Sequence, residues 1–210
     1  MPFLSEVVLA SGNAHKHREL SALFAPIGFS LVFGPERLAL EVEEKGKTYA
    51  ENALLKATAW SQALGMPAVA DDSGLEVQDL GWAPGLFSAR VASSDPGRIA
   101  WLLDRLRGKE CRRARFVACI ALVWPEETQT RVFLSEGICW GRIATEAAGS
   151  EGFGYDPVFV PDRFHATFAE LGEALKSRIS HRAIACRALR DMLEQPDMVK
   201  SLSVRSGETD

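Results

Sequence analysis

Two adjacent aspartates, Asp71 and Asp72, follow the apolar run Val69-Ala70 and precede Ser73, Gly74 and Leu75. Apolar and β-branched residues favour a buried strand, and a buried carboxylate without a partner is costly, so the pair is expected to emerge at the strand end facing a cleft. Side by side there, two carboxylates repel each other. A hard divalent cation relieves that repulsion: Mg²⁺ typically takes one or two protein carboxylates and completes its shell with water and phosphate oxygens. Gly74 is then expected to let the backbone turn sharply. The same residue types also suit an ordinary turn, and the tetrapeptide alone leaves both readings open.

The elements that must position such a pair are legible on either side of it. Val7-Val8-Leu9-Ala10 reads as a buried strand running into Ser11-Gly12-Asn13 and a helix from Ala14 to Phe24. Strand, glycine turn and helix make an anion seat, because the first helical N–H groups lack internal partners and the helix dipole is positive there. Lys16 adds formal charge in the first turn, and Glu19 closes the pattern Ser-Gly-Asn-x-x-Lys-x-x-Glu. Ser and Asn also cap helices for purely structural reasons. Phe29 to Phe33 reads as a second strand, followed by a polar loop with Glu41, Glu43 and Glu44. Thr48 with Glu51 forms a capping box that opens a helix ending near Leu64, before Gly65 and Pro67. Ala53, Ala57, Trp60 and Leu64 mark its core face; Asn52 and Lys56, one turn apart, form either a surface pair or a pair directed at the carboxylates.

Beyond the aspartates, Gly81 to Gly85 is a rigid turn and Ser88-Ala89-Arg90 follows, with Arg90 read as a phosphate clamp or an ion-pair partner. Ile99 to Leu106 reads as a short amphipathic helix, and Ala114 to Trp124 as a central strand. Strands from Gln129 to Ser135 and from Gly137 to Ile143 follow, the first across a short turn that implies antiparallel pairing, so the sheet is mixed. The glycine-dense run Gly149 to Pro157 allows close backbone approach to a ligand and offers aromatic faces, then leads into Val158-Phe159-Val160. Ser180 caps a helix reaching about Leu193, and Lys176, Arg178, His181 and Arg182 crowd its start. Cations at the positive end of a helix dipole call for a compensating anion.

At 210 residues, 47% hydrophobic and 25% charged, the chain is long enough for one large core or two packed lobes without staples. A net charge of -4 leaves no global footprint for nucleic acid or an anionic membrane, so an anion must be met locally. Four dispersed cysteines, with no Cys-x-x-Cys pair, read as buried thiols of a reducing compartment. With no membrane-length apolar run and no basic-then-apolar start, a cytoplasmic location is expected. Residues 1–200 are expected to form a single domain, and the polar stretch 201–210 a disordered tail.

Taken in order, Ser11-Gly12-Asn13-x-x-Lys16-x-x-Glu19, Glu43-Glu44, Thr48-x-x-Glu51-Asn52-x-x-x-Lys56-Ala57, Ala70-Asp71-Asp72-Ser73-Gly74-Leu75, Ala83-Pro84-Gly85-x-x-Ser88-Ala89-Arg90, Gly152-Phe153-Gly154-Tyr155-Asp156-Pro157 and Ile179-Ser180-His181-Arg182 resemble the inosine triphosphate pyrophosphatase family of non-canonical purine nucleotide hydrolases. The resemblance spans residues 6 to about 195. It implies an elongated α/β fold with a mixed sheet flanked by helices and two lobes around a groove, a homodimer, Mg²⁺ dependence, and hydrolysis of ITP, dITP and XTP to monophosphate and pyrophosphate. Carried over by position, it implies a phosphate turn at Ser11, Gly12, Asn13, Ala14, His15 and Lys16, with Lys56 on the phosphate side. It implies metal ligands at Glu43 and Asp72, a general base at Asp72, and a substrate contact at Ser73. Nucleoside contacts are implied at Phe153, Gly154, Tyr155, Asp156, Lys176, His181 and Arg182. The stretch from Val91 to Ile99 is shorter than the family's usual connection, and His15 and His17 flank Lys16 where smaller residues are common. A nucleotide-binding module without turnover, or a hydrolase of another phosphorylated substrate, are the competing readings.

Overall fold

The computed structural model describes residues 5–127 and 129–195. The tail expected at 201–210 lies outside them. In chain order the elements are β1 (Ser5–Leu9), α1 (Ala14–Phe24), β2 (Phe29–Phe33), α2 (Tyr49–Leu64), β3 (Ala68–Val77), α3 (Asp95–Arg105), β4 (Arg113–Pro125), β5 (Thr130–Ile143), β6 (Phe159–Pro161), α4 (Phe168–Leu171), α5 (Glu173–Ile179) and α6 (His181–Leu193). One six-stranded sheet runs in the order β2-β1-β3-β4-β5-β6. Its β2-β1-β3 part is parallel and the remainder antiparallel, so the sheet is mixed as expected.

Helices cover both faces. On one, Val7, Leu9 and Val69 pack with Leu20 and Phe24 of α1 and with Ala185, Cys186 and Leu189 of α6. On the other, Val8, Ala68 and Ala70 pack under Ala53, Ala57 and Trp60 of α2. The α1 face continues toward the β6 end as a second cluster around Leu75, Phe116, Phe159 and Phe168. Along β3, Val69 belongs to the first cluster and Leu75 to the second, and Asp71 and Ser73 occupy the same face between them. The site grows from that polar interruption.

Three local expectations need correction. The aspartates do not end their strand: β3 continues to Val77 with every residue paired to β4, so Gly74 is no turn. Its missing side chain makes room instead, since a Cβ there would lie 2.3 Å from the Gly85 carbonyl and 2.5 Å from the Tyr49 hydroxyl. Likewise, the two strands expected from Gln129 to Ile143 are the single strand β5. Gly137 does not break it; a Cβ there would lie 2.0 Å from the His181 carbonyl, so glycine lets α6 press onto the sheet backbone. Finally, α3 begins at Asp95 rather than Ile99, because Ser94 caps it by accepting the Gly97 N–H and Pro96 suits its first turn.

Candidate active site

The alternation of a strand sends Asp71 and Asp72 to opposite faces of the sheet. They are not a repelling pair in one cleft, and each has its own partners. Asp71, fully buried on the α1/α6 side, receives Lys16 Nζ at 2.7 Å, the Ser73 hydroxyl at 3.0 Å, and Nε and Nη2 of Arg182 at 3.3 Å each, all on Oδ2. Burial works against its charge, but Arg182 and Lys16 outweigh burial and hold its carboxyl well below the usual range. Asp72, on the α2 side, receives Lys56 Nζ at 3.1 Å and Asn52 Nδ2 at 3.2 Å. Burial, helped by the neighbouring Glu44, pushes the Asp72 carboxyl up against the opposing pull of Lys56.

The two sides communicate through a notch in the sheet. Strand β1 pairs with β3 only at Ala68 and Val69, and its last contact is the Ala10 N–H to the Val69 carbonyl, 2.8 Å. The next carbonyl pointing that way belongs to Asp71, where β1 has already left. Two ammonium groups take the vacated place, Lys16 at 3.3 Å and Lys56 at 3.1 Å from the Asp71 oxygen. Each cation thus binds a carboxylate on its own face while sharing one main-chain acceptor. Lys16 has its pKa depressed by burial and by the proximity of Arg182 and Lys56, which an arriving anion would relieve.

A cleft of about 520 Å³ opens on the Asp71 side. Gly12, Asn13, Ala14, His15 and Lys16 form one wall, with Ser11 behind them accepting the Asn13 N–H at 3.2 Å. Asn13 caps α1 by accepting N–H bonds from His15 and Lys16. Of the other predicted residues, Ser73, Phe153, Gly154, Tyr155, Asp156, Lys176, His181 and Arg182 also line that cleft. Lys56, Asp72 and Glu43 do not line it. The Glu43 side chain is three-quarters exposed and paired with Lys45 at 2.9 Å, whereas its neighbour Glu44 turns inward, 2.6 Å from Lys56 and in contact with Arg90. Asp72 and Glu44 therefore share one ammonium, and these hard oxygens fit a divalent cation that needs only one or two carboxylates. Among the described residues no cluster of three His, Cys, Asp or Glu side chains is poised for a metal.

Cationic and aromatic side chains are arranged around Phe153. Its ring lies 4.6 Å from Lys176 Nζ and 5.4 Å from the Arg182 guanidinium, and stacks on His15 at 5.4 Å. A second cavity, about 490 Å³, shares the Phe153, His15 and Lys176 walls. Lys176 is anchored to Asp156 at 2.6 Å, and the same Asp156 oxygen accepts the Phe153 N–H at 2.8 Å. His181 stacks on Phe116, 4.7 Å between ring centres, and burial, with Arg182 adding to it, keeps the imidazole neutral. It thus offers one donor and one acceptor rather than two donors. Arg182 is committed: besides Asp71 it binds Glu19 at 2.9 Å and Ser73 at 2.7 Å. His17, the other flanking histidine, meets the Leu31 carbonyl at 3.0 Å and takes no part in the cleft.

Sequence reasoning missed the inward choice of Glu44 over Glu43, because a loop without periodicity gives no rule for which of two adjacent glutamates faces in. Asp95 and Arg98 on the cleft wall were also missed. The capping signal of Ser94 ahead of Asp95-Pro96 was available to find them.

The fold and site define a mixed α/β protein whose cation-lined cleft suits an anionic small molecule with an aromatic part. The chain belongs to the Ham1 family, whose model matches residues 7–192. The dITP/XTP pyrophosphatase of Prochlorococcus marinus is 46% identical over 189 residues, covering 90% of this chain and 91% of that protein. Its counterpart in Thermus thermophilus is 45% identical over 189 residues, covering 88% and 89%. Among solved structures, a HAM1 protein from Coxiella burnetii superposes with a TM-score of 0.80 at 37% identity, covering 90% of this chain and 98% of that one. The Ham1 protein of Staphylococcus aureus gives 0.78 at 39% identity with the same coverage.

Proposed function

We propose that this protein hydrolyses purine nucleoside triphosphates with a 6-oxo base, namely ITP, dITP and XTP, to the monophosphate and pyrophosphate. The observation that carries the reading is the meeting of Lys16 and Lys56 at the Asp71 carbonyl, between an anion-binding turn and the Asp72–Glu44 carboxylates. Relatives at about 46% identity bear the name dITP/XTP pyrophosphatase, which supports the substrate class.

In this reading the turn from Ser11 to Lys16 holds phosphate oxygens, and Lys16 and Lys56 neutralise the charge gathering on a diphosphate leaving group. Asp72 accepts the proton of the attacking water; its raised pKa makes it a stronger base than a solvated aspartate. Asp72 with Glu44 would hold Mg²⁺, with Glu43 the adjacent alternative. When bound, the ion supplies charge neutralisation for the triphosphate. The base seats beside Phe153, Lys176 and His181, and the 6-oxo group meets N–H donors that adenine's 6-amino group cannot satisfy.

A homodimer and a reducing, cytoplasmic setting belong to the same proposal. The outward face of β5 supports the first, with Val132 and Leu134 exposed to 47% and 43% and the partly exposed Trp140 further along the same face. The four free thiols fit the second. No helix among the described residues is long and apolar enough to cross a membrane.

The test is a nucleotide panel with product analysis, with and without Mg²⁺. Monophosphate and pyrophosphate from ITP, dITP and XTP, with ATP spared, support the reading. Orthophosphate and a diphosphate as first products, or full activity in excess chelator, overturn it.

A further inference from the structure

The segment from Val91 to Ile99 does more than join two elements. Asp95 opens α3 and its two carboxylate oxygens are divided: Oδ1 receives Arg98 Nη1 at 2.6 Å, and Oδ2 receives the Gly154 main-chain N–H at 2.7 Å. Arg98 is itself fixed by Nε on the Ala92 carbonyl at 3.1 Å, and both side chains line the main cleft. The turn they reach carries Phe153. From inside the protein that turn is held by Asp156, which accepts the Phe153 N–H, and by the Tyr155 hydroxyl on the Ser88 carbonyl at 2.9 Å. Gly154 sits at φ +64°, a conformation glycine adopts freely, so the hydrogen bonds made to the turn, rather than local backbone preference, fix where it lies. Asp95 grips it from a separate part of the chain, 59 residues away.

We propose that Asp95 is a positioning residue for base selection: by holding the Gly154 N–H it fixes the Phe153 ring at the place where the nucleobase stacks. This rests on the substrate reading given above. The bond is charge-assisted and short, and losing it frees the turn without removing any group that touches the phosphates. Affinity and discrimination between bases therefore depend on Asp95, whereas the rate of the bound complex depends on the Asp72 side of the sheet.

The experiment compares Asp95→Ala, Asp95→Asn and Ser94→Ala with wild type. Ser94 caps the same helix through Gly97 and makes no bond to Gly154, so its variant reports helix damage alone. For Asp95→Ala the expected results are loss of hydrogen-exchange protection at the Gly154 amide, a KM for ITP raised about 10-fold, a kcat within about twofold, and a smaller ITP-to-ATP preference. Asp95→Asn keeps an acceptor for Gly154 and should restore KM to within about threefold. Ser94→Ala should lower Tm and leave KM in place. Unchanged Gly154 exchange in Asp95→Ala, an unchanged KM and preference, or the same KM rise in Ser94→Ala each overturn the proposal. Failure of wild type to hydrolyse ITP or XTP overturns the substrate reading instead, and the Gly154 exchange still reports whether the clamp exists.

Discussion

Asp71 and Asp72 are adjacent in the chain, yet the sheet stands between their carboxylates, with Arg182 and Lys16 answering the first and Lys56 and Asn52 the second. Their substitutions should fail differently. Asp71→Asn leaves Lys16 without its carboxylate partner and the buried Arg182 with Glu19 alone, and breaking a buried pair in this way costs about 3–5 kcal/mol, so a large drop in unfolding midpoint is expected. Asp72→Asn should fold with modest loss and reduce kcat by at least about 10²-fold. Denaturant unfolding beside ITP turnover separates the two, and the reverse assignment follows if Asp71→Asn is stable while Asp72→Asn unfolds.

In the proposed reading Lys16 stands in the turn that meets every triphosphate alike. Lys16→Met should raise KM for ITP, XTP and ATP by a common factor, since the group removed is the one assigned there to phosphate and not to the base. Steady-state kinetics with the three nucleotides checks this; a changed ITP-to-ATP ratio would place Lys16 against the base.

Arg182 is a strut before it is a reader, because Asp71, Glu19 and Ser73 take up its N–H groups. Arg182→Ala should lower stability by about 3–5 kcal/mol and depress kcat/KM for all substrates together. Selective loss on ITP alone, in a protein of normal stability, would show that its guanidinium contacts the base directly.

His181 makes stability depend on pH. Burial, reinforced by Arg182, holds its pKa well below the ordinary 6.5. Between 6.5 and that lower folded value the unfolded chain binds a proton that the native chain refuses, so unfolding becomes easier as pH falls. Stability should be fully present above pH 6.5 and fall below it by up to about 1.4 kcal/mol per pH unit. Urea titrations across that window should show a shallower slope in His181→Asn; an identical slope refutes the assignment.

Gly137→Ala probes the contact between sheet and helix. The added methyl would strike the His181 carbonyl and the Ala185 N–H, and overpacking of this kind costs about 1–3 kcal/mol. Because the shifted helix carries His181 and Arg182, KM should rise as Tm falls. Gly12→Ala, with nothing within 4 Å of the new Cβ, is the matched control for Tm.

How much of this was legible beforehand varies with the physics. Helices α1, α2 and α6 follow from their caps, since Asn13, Thr48 and Ser180 each accept the N–H bonds that their positions imply. Asn52 and Lys56 share a turn of α2 and do meet Asp72, as spacing on a helix allows. Strand ends were less visible. Nothing local in Ala70-Asp71-Asp72-Ser73-Gly74 tells a strand that stops from one that continues, because continuation depends on β4, about 45 residues later, offering a partner at every position. Gly74 and Gly137 misled for a related reason: both serve a neighbour's approach, which only the assembled structure reveals.

Register is the hidden variable on which the site's accuracy depends. A slip of one residue between β3 and its neighbours would turn Asp71 toward α2 and Asp72 toward Arg182, exchanging their partners while leaving the sequence untouched. The ten-position ladder to β4 opposes such a slip, and Gly74 pins it further, because only glycine fits where the Gly85 carbonyl and the Tyr49 hydroxyl crowd in. A larger residue at 74 would thus threaten the separation of the carboxylates from two positions away, by loosening the vernier that sets which of them faces which helix.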